Sequence, residues 1–127
     1  MNKKIAILGS TGSIGENILD IVRKDKKNLK VVLLTANKNY KKLIQQAKEF
    51  KVKNILIYND RCYEFLKVKL KGRKINIFSR KTKLNKILKK KVDYTICGIS
   101  GLDGLKPTLD VIKFTKTIAS ANKESII

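Results

Sequence analysis

The sequence predicts an α/β fold: a doubly wound, mainly parallel sheet with helices on both faces. Three observations carry that expectation. Short apolar runs alternate with amphipathic stretches along all 127 residues, the pattern of successive βα units. The first apolar run, Lys3–Leu8, breaks at once into Gly9-Ser10-Thr11-Gly12-Ser13-Ile14-Gly15, a glycine turn that opens a helix. Later runs, Val92–Cys97 among them, are rich enough in apolar residues to be buried strands of a parallel sheet.

Taken in order, the first helix follows the glycine turn, and its apolar face is read as Ile14, Ile18, Ile21 and Val22. Residues 30–35 make the second strand. Tyr40, Leu43, Ile44, Ala47 and Phe50 form the stripe of the second helix, and residues 54–58 a third strand. Asn59 or Asp60 caps a helix whose face is Cys62, Phe65, Leu66 and Leu70. Residues 74–78 form a fourth strand, and Leu84, Ile87 and Leu88 a short helix. After the fifth strand come Gly98, Gly101 and Gly104. Pro107 then suits the first turn of a helix burying Leu105, Leu109 and Ile112, and residues 116–121 form a last strand. In such a sheet all strands end at one edge, and ligands bind there.

Composition narrows the function. The length fits one domain, and 43% hydrophobic residues suffice for a core. No apolar run is long enough to span a membrane and no leader is evident, so a cytoplasmic protein is expected. Cys62 and Cys97 read as small buried hydrophobes in a reduced protein. The absence of histidine removes the commonest general base and metal ligand. The formal charge of +20 invites a nucleic-acid reading. Its lysines are scattered, however: runs such as Lys41-Lys42 are pairs, the longest is Lys89-Lys90-Lys91, and few aromatics lie between them. A small basic nucleic-acid-binding domain stands as one alternative.

The glycine turn carries the chemistry. Glycines admit φ > 0 and remove Cβ atoms that would hold a pyrophosphate off the backbone. The first helical N–H groups then face the phosphate oxygens, with the helix dipole behind them. The hydroxyls of Ser10, Thr11 and Ser13 add donors. The spacing is G-x-x-G-x-x-G rather than the dinucleotide fingerprint, and no Gly-Lys-Ser/Thr follows, so this is no P-loop. A tight turn that binds nothing fits the bare pattern too. Beyond the second strand stand Thr35-Ala36-Asn37-Lys38-Asn39, without the acid that NAD-specific domains place there. Lys38 can neutralise a 2′-phosphate, which favours NADP over NAD; it can equally be one more surface lysine.

Four motifs occur in order: Gly9-Ser-Thr-Gly-Ser-Ile-Gly15, Asn37-Lys-Asn39, Gly104-Leu-Lys-Pro-Thr-Leu109 and Ala121-Asn-Lys-Glu-Ser125. Together they resemble the N-terminal NADPH-binding, Rossmann-like domain of 1-deoxy-D-xylulose 5-phosphate reductoisomerases, over essentially the whole chain. The resemblance implies an enzyme family that isomerises 1-deoxy-D-xylulose 5-phosphate and reduces the resulting aldehyde with NADPH to 2-C-methyl-D-erythritol 4-phosphate, in non-mevalonate isoprenoid synthesis. It implies magnesium or manganese in the full-length family, and a homodimer. By the same resemblance Thr11, Gly12, Ser13 and Ile14 touch the pyrophosphate and ribose, and Asn37, Lys38 and Asn39 surround the 2′-phosphate. Asn122 and Glu124 lie by the nicotinamide half, and Lys123 reaches the substrate.

Two departures are local: Asn37 stands where the family often has glycine, and residues 99–105 look longer than the usual loop. In the family the metal-binding carboxylates and the substrate lid follow this domain. The expectation is therefore a cofactor domain over residues 1–127, without the catalytic, metal-binding and C-terminal domains, that binds NADPH weakly and turns nothing over alone. The cofactor domain of another NADP-dependent dehydrogenase is the second alternative.

Overall fold

A computed structural model describes residues 3–88, 92–98 and 115–120. The described elements run β1 (Lys3–Leu8), α1 (Ser13–Lys24), β2 (Leu29–Ala36), α2 (Tyr40–Glu49), β3 (Asn54–Ile57), α3 (Asp60–Lys69), β4 (Asn76–Ser79), α4 (Leu84–Ile87), β5 (Val92–Cys97) and β6 (Thr115–Ser120). The strands form one sheet in the order β4-β3-β2-β1-β5-β6. Every neighbouring pair is parallel. The chain winds outward from β1 through β4, returns, and continues on the other side of β1. The order therefore reverses between β1 and β5, which opens a crevice beyond their carboxyl ends.

Alternation in β1 divides the core. Ile5 and Ile7 face one layer with Leu19 and Val22 of α1, Leu43 and Ala47 of α2 and Leu66 of α3. Ala6 and Leu8 face the other with Leu33, Leu56, Val92, Cys97 and the Ile87-Leu88 end of α4. The register of β1 against β2 shifts between Ile5 and Ala6, so Val31 pairs with Ile5 but Leu33 with Ala6. That bulge puts Val31 and Leu34 in one layer despite their odd spacing.

Three expectations are corrected here. The buried stripe of α1 is Gly15, Leu19 and Val22; Ile21 is 58% exposed. The glycine sets this face, because a Cβ on Gly15 would lie 2.4 Å from the backbone oxygen of Ser10. On α3, Leu66 and Leu70 are buried but Phe65 is 47% exposed. It packs its ring against Tyr40 of α2 at the surface, with centroids 5.0 Å apart. The fourth strand starts later than expected, at Asn76. Among the described residues Lys51 is the only non-glycine with positive φ, so Asn37 keeps an ordinary backbone where the family often has glycine. Cys97 is buried, Cys62 is half-buried, and both are free thiols. The expected helix after Pro107, and the loop at residues 99–105, lie outside the described residues.

Candidate nucleotide site at the β1–β5 crevice

Beyond the ends of β1, β2, β3 and β5 lies a cleft of about 420 Å³, lined by Gly9, Thr11, Gly12, Thr35, Ala36, Asn37, Tyr58 and Gly98. Its floor is the glycine turn. Gly9 takes φ +74, which turns the chain out of β1 at no steric cost. Its N–H donates to Thr35 Oγ1 at 2.9 Å. The Ser10 N–H donates to the Thr35 carbonyl at 2.8 Å. The buried Thr35 at the end of β2 thus fastens both residues.

Gly12 is the N-cap of α1 and has no side chain to cap with. The first intrahelical bond there is donated by the Glu16 N–H to the Gly12 carbonyl, at 2.9 Å. The preceding N–H groups, of Ser13, Ile14 and Gly15, have no intrahelical acceptor. No side chain caps this end. They are an uncapped positive helix end beside an open cleft. The opposite wall is Gly98, whose N–H donates to the Leu8 carbonyl at 2.7 Å. A Cβ there would sit 3.2 Å from the Gly9 oxygen and 3.3 Å from Ile14 Cβ.

The expected phosphate residues divide in two. Thr11 and Gly12 line the cleft, and Ser13 and Ile14 open the helix. Ser10 is different. It is fully buried, and its hydroxyl points into the protein, donating to Gln46 Oε1 at 2.8 Å. It serves the turn and not a ligand, which corrects its assignment as a phosphate donor. Gln46, on α2 and 5% exposed, returns a bond from Nε2 to the Ser10 carbonyl at 2.9 Å. The same nitrogen lies 2.7 Å from Glu16 Oε1. Lys42 Nζ holds that carboxylate at 3.2 Å.

The segment after β2 borders the same cleft. Asn37 lines it, and its carbonyl accepts from the Asn59 N–H at 2.9 Å. Lys38 is exposed. Its carbonyl accepts from the Tyr40 N–H at 2.7 Å and from Cys62 Sγ at 3.4 Å. No carboxylate among the described residues pairs with its ammonium. Asn39 has a structural duty: its Oδ1 caps α2 by accepting from the Lys42 N–H at 3.3 Å. Asn122, Lys123 and Glu124 lie outside the described residues. Sequence reasoning missed Gly98, Thr35 and Tyr58 as parts of the cleft. A glycine directly after an apolar strand was the available signal for Gly98.

A parallel sheet whose order reverses beside a glycine turn and an uncapped helix defines a Rossmann-like α/β domain with a nucleotide-type crevice. The family model described as 1-deoxy-D-xylulose 5-phosphate reductoisomerase matches residues 5–127, and the chain belongs to that family. The reductoisomerase of Pelagibacter ubique (strain HTCC1062) is 58% identical over 98% of this chain and 33% of its own length. That of Wolbachia pipientis wMel is 40% identical over 98% of this chain and 32% of its own. Among solved structures, the reductoisomerase from Zymomonas mobilis in complex with NADPH superposes with a TM-score of 0.87 at 36% identity, covering 98% of this chain and 33% of that one. A reductoisomerase complex with NADPH, fosmidomycin and magnesium gives 0.86 at 34%, over 97% and 31%. The chain thus spans about a third of the length of these relatives.

Proposed function

We propose that residues 1–127 are the NADPH-binding domain of an NADP-dependent reductoisomerase. The reaction is conversion of 1-deoxy-D-xylulose 5-phosphate to 2-C-methyl-D-erythritol 4-phosphate in non-mevalonate isoprenoid synthesis. The single observation that carries the reading is the uncapped N-terminus of α1 facing a cleft bounded by Gly9, Gly12 and Gly98. Membership of the family and the NADPH complex of a close structural neighbour support it.

The residues fit the cofactor. A diphosphate can approach the backbone at Gly12, where an added Cβ would meet only the Gly9 oxygen at 3.9 Å. Thr11 and Ser13 offer hydroxyls, and Gly12, Ser13 and Ile14 offer N–H groups, to its oxygens. Lys38, with Asn37 and the free amide nitrogen of Asn39, serves the 2′-phosphate. Asn122 and Glu124 are assigned to the nicotinamide half. When bound, the cofactor supplies a hydride to the rearranged aldehyde. Lys123 is assigned to the substrate, where its cationic amine opposes the negative charge that gathers on substrate oxygens.

Magnesium or manganese does not fit the described residues, which hold no group of three His, Cys, Asp or Glu side chains able to share an ion. The proposal therefore leaves the metal, and turnover, to carboxylates that the family carries after this segment. Homodimerisation and a cytoplasmic location belong to the same proposal. Among the described residues no helix is long and apolar enough to cross a membrane. Titration calorimetry tests the reading: saturable heat with NADPH, and weaker heat with NADH, is expected. A folded sample giving no heat with millimolar NADPH overturns it.

A further inference from the structure

Gln46 lies on α2, well outside the glycine motif, yet its amide meets the turn on both sides. Its oxygen accepts from the Ser10 hydroxyl at 2.8 Å, and its nitrogen donates to the Ser10 carbonyl at 2.9 Å. The nitrogen also reaches the Glu16 carboxylate at 2.7 Å, in the first turn of α1. Ser10 is fully buried and Gln46 nearly so. A buried amide in three contacts defines one geometry, because each unmade bond there carries its full desolvation cost. The helix bearing Gln46 begins at Asn39, the cap that closes the Asn37-Lys38-Asn39 segment. One side chain therefore ties the turn before α1 to the helix that carries the second ligand segment.

We infer that Gln46 is a positioning residue for nucleotide binding: it fixes the height and tilt of the glycine turn, and so the aim of the first N–H groups of α1, without touching the ligand. The inference rests on the cofactor reading above. It predicts a selective loss. Gln46→Met keeps the length of the side chain but removes all three contacts. Affinity for NADP⁺, which uses the diphosphate site, falls roughly tenfold, the scale of a buried hydrogen bond to a polar group. Affinity for adenosine 2′-phosphate, which lacks the diphosphate, changes less than about twofold.

The test is calorimetry of both ligands with wild type and variant, each shown to be folded by circular dichroism at the titration temperature. Equal weakening of both ligands, or unchanged NADP⁺ affinity in a folded variant, overturns the inference and leaves the cofactor reading standing. A wild-type chain that binds neither ligand overturns the cofactor reading, and the inference with it. Should Gln46→Met not fold, Ser10→Ala deletes one of the same bonds from the other side by removing a single oxygen. The same selective loss is expected, and an unaltered NADP⁺ affinity there is equally fatal.

Discussion

Gly9 and Gly98 face each other across the crevice so closely that a single methyl would be tight: a Cβ on Gly98 would stand 3.2 Å from the Gly9 carbonyl oxygen. The strand on which each sits is fixed by the β1–β5 pairing, with Leu8 opposite Cys97. The crevice is narrow because two backbones approach there, and the lack of a Cβ at Gly98 lets them do so without a shift.

Three glycines then give three different outcomes on replacement by alanine. Gly15→Ala drives a Cβ to 2.4 Å from Ser10 backbone, and a loss of about 3 kcal/mol or failure to fold is expected. Gly98→Ala requires a shift of a few tenths of an ångström and should cost about 1–2 kcal/mol. Gly12→Ala meets only one atom, at 3.9 Å, and loses a preferred N-cap residue, worth at most about 1 kcal/mol. Its methyl nonetheless enters the cleft, so NADPH binding should weaken far more than stability. Thermal melts paired with calorimetry separate the three.

Lys38→Ala should lower the ratio of NADPH to NADH affinity by roughly tenfold, since a charge-assisted contact to phosphate is lost from one ligand only. Affinity for NADH should change little. An unchanged ratio would return Lys38 to the ordinary surface lysines.

On α1 the buried side is marked by Leu19, 1% exposed, and the open side by Ile21. Leu19→Ala is expected to cost about 2–5 kcal/mol. Ile21→Ala should stay within about 0.5 kcal/mol. Denaturant unfolding of the two variants decides which residue the core holds.

Glu49 gives a pH dependence whose sign is fixed. The hydrogen bond from Arg23, with Nε 2.5 Å from Oε2, holds its carboxyl below the ordinary value of 4.5. A depressed carboxyl stabilises the fold above its unfolded pKa, and that contribution fades as pH falls through the folded value. The group is exposed, so the effect is small and screened by salt. Arg23→Ala should melt slightly lower than wild type at neutral pH and low salt. The gap should close in acid. A gap that persists there would assign Arg23 a role through packing on Phe50, 5.3 Å from its guanidinium carbon.

The strands were legible because burial on both faces demands apolar runs: β1, β2, β3 and β5 fall within a residue of where hydropathy puts them. The glycine turn was legible because few other sequences can make it. What escaped is what hydropathy does not encode. Gly15 carries no apolar signal, yet its contact with Ser10 rotates the buried face of α1 toward Leu19. Ser10, Thr11 and Ser13 are alike in type, and only burial separates the inward hydroxyl from the two at the helix mouth. Gln46 lies outside the apolar stripe that hydropathy marks on α2, yet it is buried against Ser10. Phe65 counted as core, but aromatic pairing with Tyr40 satisfies it at the surface.

The central claim is that the loop after β1 and the start of α1 hold a dinucleotide's diphosphate. Amide chemical-shift mapping with NADP⁺ tests it most directly. The account predicts the largest, saturable shifts at Thr11, Gly12, Ser13 and Ile14, with a second group at Asn37 and Lys38. A well-dispersed spectrum in which those amides stay still at millimolar NADP⁺ would contradict it.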